Sequence, residues 1–479
     1  MMDLFERKRI QSRRHFFRDV GGGIGTMALA SLLQRDSYAA VSTGVNPLAP
    51  RQPHFPPKAK NVIFMFMEGG PSQLDLFDPK PELQRWNGKP LPESVTKNLQ
   101  LAFIKPTAAV LGSPYQFAPA GKSGMQISEL LPHTASVADD ICLVRSMHTD
   151  AFNHHPGQLL LFAGTTQVGR PSLGSWVVYG LGSESENLPG FVVLSSGVGT
   201  SGGESNFSSG FLPSTYQGTM FRSTGEPIVY LNNPAGIGRD RERAELDVIR
   251  DLNEEHLGVT GDREIASRIA NYELAFRMQS AAPELLDFSK ESPATLEMFG
   301  VDKKETKQFG TNCLLARRLV ERGVRFVLLM HASWDHHTEL TKGLKKQCLA
   351  TDQPAAALIK DLKQRGMLDE TLVVWGGEFG RTPMSEIRKP EDAENAGRDH
   401  HPVAYSMWTA GGGLKAGEVV GKTDDLCFKI DENPIHVHDL QATLLNQLGF
   451  DHKRLTFHYM GRDFRLTDVE GEVVRRLIA

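Results

Sequence analysis

The sequence predicts an α/β fold, with a mostly parallel central sheet and helices on both faces. Three observations carry this. Short continuous apolar runs recur at 61–67, 141–144, 191–194, 324–330 and 371–375, each suited to a strand buried on both sides. Amphipathic helical patterns lie between several of these runs, so that strands alternate with helices. The bulk composition, 40% hydrophobic and 23% charged over 479 residues, is that of an ordinary globular chain. That length suits either two or three average domains or one large α/β domain with insertions, and the alternation favours the second.

Along the chain, residues 1–39 come first and are read as an address. Arg7, Lys8, Arg9, Arg13, Arg14 and Arg18 precede an uncharged stretch, Val20 to Leu33, that is too short and glycine-rich to span a bilayer. Ser37-Tyr38-Ala39 then offers small residues at the −3 and −1 positions of a cut after Ala39. Within this segment, Ser12-Arg13-Arg14-His15-Phe16-Phe17-Arg18 resembles the twin-arginine export signal. The expected location is therefore periplasmic or extracellular, with no membrane span after cleavage. Residues 40–59 carry five prolines and read as an extended linker. Residues 60–479 form the expected single α/β domain. Its helices are placed at 238–256, 262–280, 338–366 and 439–448, the last closed by Gly449. The Gly/Ser/Asn-rich segment 196–235 reads as long surface loops.

Composition also removes some functions. A net charge of −4 gives no basic footprint for nucleic acid. Cys142, Cys313, Cys348 and Cys427 contain no C-x-x-C pair, which argues against thiolate zinc or a dithiol redox site and leaves them as buried small hydrophobes.

In open α/β sheets, ligands bind beyond the carboxyl ends of the strands. Here three apolar runs release directly into acidic or histidine-bearing loops. NVIFMFM leads into Glu68 and Asp75, VRFVLLM into Asp335-His336-His337, and TLVVW into Gly376-Gly377-Glu378. Asp335 and His337 are two apart, so an extended segment points both the same way and His336 the other. His154 and His155 in NHHP, and Arg398, Asp399, His400 in GRDHHP, add further candidates. Like charges crowded at one sheet edge need a cation or a shared proton. Histidine beside carboxylate without thiolate suits Zn or Mn, with Mg or Ca less favoured. The expected ligand set is Asp335, His337, Glu378 and His400, with Glu68 in addition. Ser72, a rival nucleophile in GGPSQLD, reads better as a helix N-cap.

The strings GGPSQLDLFDPKPEL, HHPGQLLLFAGT, GRPSLGSWVVYGLGS, SWDHH, GGEFGRTP, GRDHHP and HVHDLQATLLNQLGFDH resemble the exported bacterial "domain of unknown function 1501" family over nearly all of the mature chain. The resemblance implies the fold of the alkaline phosphatase and sulfatase superfamily. It nominates Glu68 as the metal-binding acid after the first strand. It places Glu378 at the aspartate of the sulfatase S-D-H-G pattern, with Phe379 in place of its histidine, and leaves His438 as an extra ligand candidate. His154 stands where sulfatases carry the cysteine that becomes formylglycine. No C-x-P-x-R or C-x-A-x-R occurs in the chain, so that mechanism is excluded.

The reading that follows is a metal-dependent hydrolase of sulfate or phosphate esters, its substrate an anionic small molecule or glycan ester. His154 would be the acid or base, a further ligand or a covalent carrier, and Arg381 and Arg398 would grip an anionic group or form structural ion pairs. The alternative is an inactive protein of the same fold that binds anionic glycans or a partner complex.

Overall fold

The computed structural model describes residues 46–479, apart from 98, 100, 198–200, 223–227, 229–230, 235 and 388–394. The export signal and its cleavage site lie outside the described residues. Residues 47–479 form one compact unit.

Strand β1 (Asn61–Met67) is buried along its whole length, as its unbroken apolar sequence requires. It lies at the centre of the main sheet, parallel to two strands that come far later in the chain. The other members are β2 (Ile141–His148), β3 (Phe191–Ser196), β4 (Thr219–Phe221), β5 (Phe326–His331) and β6 (Thr371–Gly376). A separate hairpin, β7 (Gly380–Glu386) with β8 (Gly397–His401), follows β6. Three strands complete the main sheet: β9 (Tyr405–Ala410), β10 (Glu418–Val420) and β11 (Ile435–His436). The order across the sheet is β10-β2-β9-β6-β1-β5-β3-β4, with β11 paired to the end of β2. Only β9 runs antiparallel to its neighbours, so the sheet is mostly parallel.

Helices surround the sheet: α1 (His154–Ala163), α2 (Leu173–Leu181), α3 (Arg239–Thr260), α4 (Arg263–Leu286), α5 (Lys307–Glu321), α6 (Leu340–Gln364) and α7 (Val437–Gln447), of which α3 buries no residue and packs on α4 instead of on the sheet. In β1, Phe64 and Phe66 share a face because they are two residues apart. Both meet Phe162 of α1 edge-on, at ring separations of 5.2 and 5.0 Å. This contact seats α1, and with it His154, over the central strand.

The five apolar runs all form strands. Segment 196–235, expected as loops alone, also contributes β4, a three-residue parallel edge strand paired from Val192↔Thr219. Three residues are too few to show a period. All four cysteines are free and buried. No helix among the described residues is long and apolar enough to cross a membrane.

Candidate metal centre

Four side chains from three separate stretches of chain meet beyond the carboxyl ends of β1, β5 and β6. His154 opens α1, Asp335 and His337 sit in the loop after β5, and His400 lies on β8. One ligand atom from each lies within 4.8 Å of every other. Asp335 is the hub. Its carboxylate is 2.9 Å from His337 Nε2, 3.2 Å from His400 Nε2, 3.2 Å from His154 Nε2 and 2.5 Å from Arg381 Nη2. The three imidazoles are largely buried, whereas the Asp335 side chain stays 40% exposed.

Each imidazole is held from behind through its other nitrogen. His154 Nδ1 lies 2.7 Å from Glu378 Oε1, His337 Nδ1 bonds Glu386 Oε2, and His400 Nδ1 donates to the Phe152 carbonyl at 2.7 Å. A carboxylate or carbonyl on Nδ1 fixes the tautomer that leaves Nε2 free to coordinate. The Nε2 of His154 is buried, and its one polar neighbour is the Asp335 carboxylate at 3.2 Å, poorly aligned for a hydrogen bond. Three converging Nε2 atoms and one carboxylate, without thiolate, are a donor set that fits zinc or manganese.

The structure thus brings Asp335, His337 and His400 together as the sequence suggests, and makes His154 rather than Glu378 the fourth member. Glu378 is fully buried behind His154, where it also accepts from the Gly69 amide. With Glu68 it forms an adjoining group on the Nδ1 side of His154. Glu68 accepts from Gln158 Nε2 and the Ser201 amide, both at 3.2 Å. His336 turns away and packs against Gly343 of α6.

The remaining candidates lie outside this four-residue set, although Asp399 forms a second group with His337 and Glu386, their ligand atoms within 4.8 Å of one another. Arg381 is buried and donates to the Gly69, Gly70 and Arg398 carbonyls as well as to Asp335, which leaves no free edge for an anion. Arg398 is paired with Asp75 at 2.9 Å, both side chains fully buried, so it too is structural. Ser72 hydroxyl bonds Asp75 instead of capping the short helix that follows. Asp399 accepts from the Phe103 and Ile104 amides, at 2.7 and 3.2 Å, and so pins a loop beside the site. His155 is exposed and outside the grouped side chains. His438 bonds the Gly164 carbonyl through Nε2 and neighbours His436, apart from the centre.

Sequence reasoning did not single out Gln158, Glu386 or Phe103. Gln158 was within reach of it, four residues after His154 on one helix face. Glu386 and Phe103 had no local signal, because strand pairing and a long loop bring them in.

The electrostatics follow from these contacts. Burial would lower the His154 imidazole, but its contacts with Asp335 and Glu378 outweigh this and raise it to about 9. Burial opposes ionisation of Asp335, yet the three histidines and Arg381 hold it far below the usual carboxylate range. Glu68 moves up, first through burial and then through the charge of Glu378.

The model of a family described as "Protein of unknown function (DUF1501)" matches residues 59–478. No curated protein sequence matches the chain. Among solved structures, the chain is similar to the lipoteichoic acid synthase LtaP from Listeria monocytogenes (9% identity, TM-score 0.36, covering 90% of this chain and 79% of that one). It is also similar to the PsFucS1 sulfatase from Pseudoalteromonas sp. (13%, 0.36, 84% and 68%). A third is the alkaline phosphatase from the Antarctic bacterium TAB5 (14%, 0.30, 75% and 92%).

Proposed function

This chain belongs to the DUF1501 family, and we propose that it is an exported, metal-dependent hydrolase of sulfate or phosphate esters that works without a formylglycine nucleophile. The observation that carries this reading is the set of three imidazoles, each held through Nδ1 and each presenting Nε2 to Asp335. His154, Asp335, His337 and His400 would hold the ion. A divalent ion bound there supplies Lewis acidity and brings the pKa of water towards neutrality. Glu378, Glu386 and the Phe152 carbonyl keep the imidazoles in register for it. Glu68, pushed up by burial and by the charge of Glu378, keeps a proton to higher pH than an exposed carboxylate. The twin-arginine segment would send the folded chain out, with cleavage after Ala39.

Purified protein should contain about one equivalent of zinc or manganese per chain, the stoichiometry of a four-ligand site. It should also hydrolyse members of a panel of aryl sulfates and phosphates. Protein that takes up no zinc, or whose bound zinc is unaffected by His337→Ala, would sink the metal reading. The buried, fully engaged Arg381 and Arg398 favour a second reading, binding without turnover. Metal-loaded protein inert on the whole panel would select it. For export, Arg13→Lys with Arg14→Lys should retain the precursor inside the cell, and normal processing of that double variant would count against the twin-arginine assignment.

A further inference from the structure

We propose that Phe103 is a specificity-determining residue, one that makes the site prefer esters whose alcohol carries a flat ring. The inference rests on the hydrolase or binding-site reading above and adds the class of group recognised. Phe103 packs edge-on against two of the candidate ligands, with ring separations of 5.9 Å to His337 and 5.4 Å to His400, yet remains 56% exposed. Exposure of one ring is ordinary in itself; what distinguishes Phe103 is that the open ring also touches two of the candidate ligands. Its position is built rather than incidental. The amides of Phe103 and Ile104 donate to Asp399, a fully buried carboxylate next to His400 in the chain, and charge-assisted bonds of this kind fix a backbone firmly.

Phe152 is 48% exposed, and its carbonyl holds His400 Nδ1. Beside Phe103 lies a cavity of about 780 Å³ lined by Ile104, Lys105, Ser385, Glu386 and Ile387, and beside Phe152 one of about 380 Å³ that includes His148, Asp150 and Val403. Phe103 touches both imidazoles, so a substrate whose anionic group reaches His337 and His400 meets an aromatic face on that side, next to the open volume beside Phe103. An aryl ring or the C–H face of a sugar fills that space, and a short alkyl chain does not.

The test uses the zinc-loaded full-length mature chain and two non-hydrolysable probes, phenylphosphonate and methylphosphonate, with affinity measured by calorimetry. The wild type should bind phenylphosphonate more tightly by roughly threefold to tenfold, the size of one aromatic contact. Phe103→Ala should bring the two probes close to parity by weakening phenylphosphonate more than methylphosphonate, and Phe103→Trp should keep the preference. Equal affinities in the wild type, failure to bind either probe with zinc in place, or a preference that survives Phe103→Ala would each overturn the assignment. Loss of zinc content in the wild type would instead count against the metal centre itself.

Discussion

Gly69 sits where the loop after β1 touches the loop after β5. Its φ is +111°, and a Cβ there would lie 2.3 Å from the Asp335 backbone nitrogen. Its amide also bonds Glu378, and its carbonyl bonds Arg381. Gly69→Ala should therefore both strain the backbone and displace Asp335, costing about 1–3 kcal/mol or more and emptying the site. Thermal melting and metal analysis on the same sample would check this, and an unchanged metal content would show that the approach is not needed. His154 gives a pH test at the same scale. Its folded value of about 9 lies above the unfolded one, so in metal-free protein its stabilising effect is complete below about 6.5 and is lost as pH rises towards 9. Up to about 3 kcal/mol is at stake, from 1.36 kcal/mol per pKa unit. Melting temperature of metal-free wild type should fall over that window, and that of His154→Ala should fall less. Zinc affinity should move oppositely over the same range, because coordination needs the neutral imidazole. Asp335 and His337 were legible from their two-residue spacing after an apolar run. The exchange of Glu378 for His154 was not, since which nitrogen faces which carboxylate depends on how α1 is rotated over the sheet.

At the scale of elements, the contact between β1 and α1 links stability to the site. Phe162 is buried against Phe64 and Phe66 and lies eight residues along α1 from His154. Phe162→Ala should cost about 3–5 kcal/mol and also weaken zinc binding by letting α1 shift. Equilibrium denaturation and zinc titration would report the two effects separately, and a stability loss with unaltered zinc affinity would mean that other contacts hold His154. The strands most legible in the sequence were those with unbroken apolar runs, such as NVIFMFM. β9, YSMWTA, is buried throughout and central to the sheet, yet its serine and threonine hide it from any apolar-run criterion. The β7–β8 hairpin was hidden for a related reason. GRTPMSE and GRDHH are polar strings buried because the fold wraps ionic groups and candidate metal ligands inside.

For the whole molecule, the candidate ligands tie α1, the loop after β5 and the hairpin after β6 into one cluster. An ion bound there stabilises the folded chain by mass action, about 2.7 kcal/mol when free metal stands at a hundredfold its Kd. Chelation should accordingly lower the melting temperature by several degrees, by roughly 2–4 °C per kcal/mol even in domains of 150–250 residues and less in a larger one. Readdition of zinc should restore it. Chelator-insensitive melting of metal-containing protein would place the ion elsewhere. The fold class was readable at this scale because alternating strands and helices permit few sheet orders. The position of the one antiparallel strand was not, being set by pairings across hundreds of residues.

The pairing of β1 also bears on how the chain is made. Val62 lies opposite Phe326 and Leu372, so the first strand has no partner in the main sheet until more than half of the polypeptide has been synthesised. At roughly 5–20 residues per second, the stretch from Val62 to Phe326 takes on the order of 13–50 s to leave the ribosome. Throughout that time NVIFMFM is an exposed, uncharged, strand-forming segment, the kind that pairs with copies of itself. A nascent chain halted before β5 should therefore aggregate or be held by a chaperone, and one released after β6 should not. Pulse-labelled truncations ending near 320 and near 425 would separate the two behaviours.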